Sequence, residues 1–186
     1  MWELLIVVVA VFLLPVMYVV LTYNTLVALR NHIRDAWGNI DTELKRRYDL
    51  IPNLVATVKG YAAHEKGIFE RVTELRAQCL ASQGAPHEQA TDENQLVEAL
   101  RGLLVVVEHY PQLKADQHFL KLQRELVNTE DRIQAARRFF NGNVRDYRNK
   151  CETFPSSVIA NTFGFELQDY FCVHPSVREV PDMDFG

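Results

Sequence analysis

Leu4-Leu5-Ile6-Val7-Val8-Val9-Ala10-Val11-Phe12-Leu13-Leu14 opens a run that reaches Leu29 without a single charged side chain. Its first part is apolar in every direction around a helix, so it needs an apolar solvent on all sides. Trp2 and Tyr23 bracket the run 21 positions apart. At about 1.5 Å per residue that is ~31 Å, close to the hydrocarbon thickness of a bilayer. Both aromatics therefore fall where interface residues belong. A helix from a soluble core is a poor account, because the run is too long and has no polar face. A cleaved signal peptide is another poor account, since Met1-Trp2-Glu3 offers no basic n-region and no A-x-A-like site follows. Pro15 is tolerated in a spanning helix. The sequence thus predicts a transmembrane helix, with residues 1–24 as the anchor and its outer flank.

Arg30 and Arg34 follow the span and Lys45, Arg46 and Arg47 lie further on, whereas only the α-amino group and Glu3 precede it. The positive-inside rule then puts the N-terminus outside and the bulk of the chain inside. The remainder is one ordinary domain's worth of chain, enough to bury a real core. A net charge of −4 and the lack of a basic stripe with interleaved aromatics argue against nucleic acid as a partner. Cys79, Cys151 and Cys172 are odd in number and have no C-x-x-C spacing, which suits small apolar residues on helix faces in a reducing compartment.

From Leu26 onward, Leu29, Ile33, Trp37, Ile40, Leu44, Ile51, Leu54, Val55, Val58, Ala62, Phe69 and Val72 recur in steps of three and four, which is a helical stripe. Asp49-Leu50-Ile51-Pro52 interrupts it. Either one helix continues through a kink at Pro52, or Asp49 caps a new helix with Pro52 in its first turn. Phase coherence favours the first and capping chemistry the second. Ser82-Gln83-Gly84-Ala85-Pro86-His87 reads as a loop, after which Thr91 or Asp92 can cap a helix bearing Leu96, Leu100, Leu103, Leu104 and Val107. Pro111 ends that helix. A third helix is predicted from about Asp116 to Glu152 through Phe119, Leu122, Leu126, Ile133, Phe140, Val144, Tyr147 and Cys151, with charged residues on its outer face. No strand alternation of useful length appears, so the fold class is all-α. Phe154-Pro155 opens a short C-terminal aromatic segment and tail, 154–186, whose Phe163, Phe165, Tyr170 and Phe171 either pack on the bundle or dock a partner or the membrane surface.

No Glu-x-x-His pair for a di-iron site occurs, and His64-Glu65 and His87-Glu88 lack the second histidine of H-E-x-x-H. G-x-S-x-G and the P-loop are absent from the sequence as well. The expectation is no catalytic set, no metal and no cofactor. Arg47 and Glu65 are polar residues on the long apolar stripe. They are candidates for a buried polar layer that fixes register or senses a partner, unless local twist or a break at Asp49 turns them to water.

The blocks Tyr23-Asn24, Ala36-Trp37, Ile40-Asp41, Leu44-Lys45-Arg46-Arg47, Asp49 to Val55 and Val58 to Glu65 resemble the LemA family. So do Tyr110-Pro111-Gln112-Leu113-Lys114-Ala115, Thr129-Glu130-Asp131-Arg132-Ile133, Ala136-Arg137-Arg138-Phe139, Phe154-Pro155 and Phe163-Gly164-Phe165. The resemblance covers nearly the whole chain. It implies a bacterial inner-membrane, single-pass protein carrying an elongated antiparallel four-helix bundle, here residues 25–153, and it favours the break at Asp49. Family members have no established enzymatic activity; they include a magnetosome-membrane protein and are associated with membrane-bound proteases and membrane stress. Two departures are a β-branched Val105-Val106-Val107 and a short acidic tail before Val180-Pro181, which bear on tail-mediated contacts. The leading expectation is a non-enzymatic membrane-anchored scaffold or adaptor, with the lipid bilayer and a protein partner, such as a membrane-bound protease, as its contacts. The alternatives are a homo-oligomer that organises or remodels the membrane and, in last place, a hydrolase or metal enzyme with a dispersed site, for instance Glu65 with His64, His109 or His118.

Overall fold

A computed structural model describes residues 1–82 and 86–171, with residues 4–10 described by backbone only. Among the described residues there are six helices and no strand: α1 (Trp2–Tyr61), α2 (Lys66–Ala81), α3 (Pro86–Val107), α4 (Pro111–Lys114), α5 (Gln117–Glu152) and α6 (Ser156–Thr162). The protein is an all-α helical bundle. Two compact units divide it, each assembled from separate stretches of chain: Met1–Asn39 with Arg138–Gln168, and Ile40–Arg137 with Asp169–Gly186.

In the first unit, the exposed apolar side chains of α1 between Val11 and Leu21 give way to buried Thr22, Leu26, Ile33 and Ala36. Burial then follows the predicted three-and-four spacing. The end of α5 supplies Phe140, Val144, Tyr147 and Cys151, and α6 supplies Ile159 and Ala160. Trp37 and Phe140 meet ring to ring at 5.4 Å. Helix α6 stops in a Schellman motif: Gly164 has φ +68, its N–H donates to the Asn161 carbonyl, and the Phe165 N–H donates to the Ala160 carbonyl. A Cβ at that φ is strained, which explains glycine there. The turn aims Phe165 back at α1, where it lies edge-on to Tyr23 at 5.5 Å and under the Arg30 guanidinium at 5.5 Å.

In the second unit α1, α2, α3 and α5 supply the core. Ile40, Leu44, Ile51, Leu54 and Val58 of α1 are buried, as are Phe69, Val72 and Leu75 of α2, Leu96, Leu100 and Leu103 of α3 and Phe119, Leu122, Leu126 and Ile133 of α5. Gly102 lets α3 approach α2 closely, since a Cβ there would meet Ile68 Cδ1 at 3.2 Å.

The chain does not break at Asp49. Helix α1 continues to Tyr61, and the connection to α2 is residues 62–65. Pro52 lacks the N–H that an uninterrupted helix would aim at the Tyr48 carbonyl four residues back. That carbonyl accepts instead from Arg76 Nε of α2 at 2.7 Å. Long-range hydrogen bonding thus replaces the lost local one and lets the helix pass the proline. The cap expected at Thr91 or Asp92 is also corrected: α3 already starts at Pro86, a residue preorganised for a first turn. Thr91 bonds back to the His87 carbonyl and Asp92 accepts from Gln78. Pro111 sits at the first turn of α4 after α3 has ended at Val107. Asp116 caps α5 by accepting the Phe119 N–H at 2.8 Å, and that bond holds its carboxyl below the usual range. Gln83, Gly84 and Ala85 of the expected loop, and Cys172 with the tail to Gly186, lie outside the described residues.

Candidate functional site

The second unit holds a charged cluster where its helical stripes predict apolar residues. Arg47 is 2 % exposed and Glu93 3 %. Two such groups at that depth are tolerable only when paired and hydrogen-bonded. Arg47 Nη2 donates to Glu93 Oε2, and the Tyr48 hydroxyl donates to Glu93 Oε1. Arg47 Nη1 donates at 2.6 Å to Glu130 of α5, whose side chain is 34 % exposed. Three helices, α1, α3 and α5, are thereby tied at one level. Burial and the Glu93 carboxylate push the Tyr48 hydroxyl well above its ordinary value, so it stays a donor. The same two causes push the Cys79 thiol on α2 up to about 12. Arg47 Nε is buried with no hydrogen-bond partner.

A cavity of about 560 Å³ adjoins this cluster, with Arg47, Glu93 and Glu130 in its wall together with Arg71, Arg137 and Phe171. Arg137 is 7 % exposed and stacks over the Phe171 ring at 4.8 Å. Cations and acids alternate in the wall, so it presents no single-sign field. Among the described residues, no group of three or more His, Cys, Asp or Glu stands together in a way that could hold a metal ion.

The residues singled out from the sequence fare differently. Arg47 is buried in the ion pair just described. Glu65 is not part of a polar layer: it is exposed at the N-terminal boundary of α2, because α1 ends at Tyr61 and the phase of its stripe stops there. Phe165 and Phe171 are core residues, 8 % and 1 % exposed, and so are not available as a partner surface. Tyr170 is half-buried, while Phe163 remains exposed at 52 % with its edge on Tyr23 at 5.1 Å. Trp2 is exposed. His64, His109 and His118 are exposed individually. Sequence reasoning missed Glu93, Thr129 and Arg137. All three continue apolar stripes of α3 and α5 in steps of three or four, so the signal that flagged Arg47 was present for them too.

A family model described as "LemA family" matches residues 36–185. The chain belongs to the LemA family. Among curated relatives, this LemA chain is 26 % identical to the magnetosome protein MamQ 2 of Paramagnetospirillum magneticum over 179 residues, covering 83 % of the chain and 66 % of that protein. It is 25 % identical to MamQ of Magnetospirillum gryphiswaldense with the same coverage. Protein LemA of Metamycoplasma hominis is 26 % identical over 138 residues, 74 % of this chain and 63 % of that protein. The chain thus spans about two thirds of the length of the curated relatives it matches. In this LemA protein α1 is, among the described residues, the helix long and apolar enough to cross a membrane.

Proposed function

We propose that this LemA protein is a non-enzymatic membrane-anchored scaffold that presents its helical bundle to a protein partner at a fixed distance from the bilayer. One observation carries the reading. The exposed apolar stretch of α1 passes, without a linker, into the buried positions Thr22, Leu26 and Ile33 of the same helix. A flexible tether supplies reach and raises local concentration over a volume. A shared helix supplies position instead, which is what a scaffold needs. The charge flanks of the span support a single pass with the N-terminus outside and the bundle in the cytoplasm of a bacterium. The names of the magnetosome relatives support a role on a membrane.

The test is photocrosslinking in native membranes from sites along residues 115–171 of the full chain, followed by identification of what is attached. The scaffold reading expects a distinct protein, a membrane-bound protease among the candidates, attached from neighbouring sites on one face. Attachment only of further copies of the chain would replace it with self-assembly. Attachment of nothing from any site would refute both. A reporter fused after Gly186 that is active only outside the cytoplasm would reverse the orientation.

A further inference from the structure

Helix α5 climbs alongside α1 in the first unit in an antiparallel register. Trp37 meets Phe140 ring to ring, and seven residues on, the Arg30 charge acts on the Tyr147 hydroxyl. Another seven residues bring α1 to Tyr23 and the opposite chain to Phe154, just beyond the end of α5. At about 1.5 Å per residue, each such step is ~10 Å along the axis. Tyr23 closes the apolar stretch of α1, and Phe163 and Phe165 touch its ring at 5.1 and 5.5 Å. Helix α6 is therefore carried back to the height at which the apolar stretch ends. Its inner face is fixed by buried Ser156, Ile159 and Ala160. Its outer side and flanks leave Phe154 79 %, Val158 57 % and Phe163 52 % exposed. Three large apolar groups of one short segment are thus exposed beside the end of a span, where the apolar neighbour at hand is lipid.

We infer that α6, with Phe154 and Phe163 at its ends, is a second membrane-contacting element that lies in the headgroup region of the same bilayer that α1 crosses. The inference rests on the reading of α1 as a membrane span. Its physical content is a collar: the α1 helix inserts, and α6 seats the first unit against the surface with Val158 directed into the acyl boundary. An amphipathic element at such a surface buries its apolar face roughly 5–10 Å into the headgroup and acyl boundary. Tyr147 and Arg148 hold the segment that follows by donating to the Glu166 and Gln168 carbonyls at 2.9 and 3.3 Å, so the collar is pinned to α5.

Nitroxide depth measurement on the full chain in phosphatidylcholine nanodiscs tests this. Single labels are placed by Phe12→Cys, Val158→Cys and Phe139→Cys in a Cys172→Ser background. Cys79 and Cys151 are buried with raised thiol pKa values, which suppresses their own labelling. Phe139 is an exposed apolar control on α5, 15 residues before Phe154 and so ~22 Å further along the helix. The expected result is loss of collisions with a water-soluble nickel chelate at both 12 and 158, gain of collisions with oxygen at both, and full nickel access at 139. Nickel access at 158 equal to that at 139, with 12 still protected, would overturn the inference and leave the span intact. Nickel access at 12 would overturn the span and the inference together. Circular dichroism of each labelled chain checks that the helices persist, and Phe154→Cys provides a second label with the same expectation where Val158→Cys does not fold.

Discussion

Replacing Arg47 by methionine removes the guanidinium and keeps most of the aliphatic volume, so the change isolates the charge. Glu93 is 3 % exposed and loses its cationic partner, keeping only the Tyr48 hydroxyl as a strong donor. Breaking a buried pair from one side costs about 3–5 kcal/mol. Glu130, 34 % exposed, regains water when Arg47 is gone, so its share is below ~1 kcal/mol. The expectation for Arg47→Met is thus a loss of about 3–5 kcal/mol, against under ~1 kcal/mol for Glu130→Gln and within about 0.5 kcal/mol for exposed Glu65→Ala. The combination Arg47→Met, Glu93→Leu and Tyr48→Phe deletes the ions and the hydroxyl that would otherwise lack an acceptor. It should recover most of the loss, because an apolar replacement of a buried pair is often neutral or better. Urea unfolding of the full chain in detergent micelles, followed by far-UV circular dichroism, reads all four as shifts in midpoint at constant slope. A midpoint for Arg47→Met equal to that of the parent would refute the reasoning, since it would mean that Arg47 and Glu93 are solvated rather than buried. A triple variant no more stable than Arg47→Met would refute the claim that the stranded carboxylate is the source of the cost.

Four further outcomes follow from the same structure. Arg76→Met should cost about 1–3 kcal/mol by stranding the Tyr48 carbonyl, and much less in a Pro52→Ala background, where the restored N–H satisfies it; equal costs in both backgrounds would disprove the link. With its thiol at about 12 rather than 9.0, Cys79 should present about a thousandfold less thiolate than an ordinary cysteine at pH 8 and resist a disulfide reagent until the chain is unfolded. Because that folded-state value is raised, the stability contribution is full below pH 9 and is lost as pH rises toward 12, Tyr48 adding in the same direction, so unfolding free energy should fall at alkaline pH and fall less steeply in Cys79→Ala. Gly164→Ala should cost about 1–2 kcal/mol through the left-handed backbone and loosen Phe165 from Tyr23, measured as a lowered midpoint and as a change in the near-ultraviolet dichroism of the aromatic cluster.

What the sequence made legible is what depends on period. The all-α class, the span of α5 and the helix after residue 82 follow from apolar spacing and from proline and glycine chemistry, and the structure has them, whereas α3 ends at Val107 and Pro111 opens α4 instead of stopping α3. What it hid depends on distant pairing. Capping chemistry favours a break at Asp49 and phase coherence a helix that continues through Pro52, and the two stand undecided because local rules see only that Pro52 removes a bond. They cannot see Arg76, 28 residues away, supplying the replacement donor. The sequence also contained no comparably sharp stop at the true end of α1, which falls at Tyr61 in a stretch without proline.

Arg47 and Glu65 make the same point from the opposite side. Both lie on one numerical stripe, placed there by the same arithmetic of threes and fours. The arithmetic is physics only while the helix is continuous, because the angular position of a residue is inherited from its neighbours. Arg47 is inside α1, so its position on the stripe dictates burial, and burial in turn dictates partners. Glu65 lies beyond the end of α1, where phase is no longer transmitted, and it faces water. A polar residue on a stripe is therefore best read by asking whether an opposite charge occupies a stripe on another helix. Glu93, set three residues before Leu96 and seven before Leu100, answers that question for Arg47 from sequence alone. Glu65, outside any helix that carries the phase, has no such claim on a partner, and this difference is what the paired stability measurements of Arg47→Met and Glu65→Ala would expose.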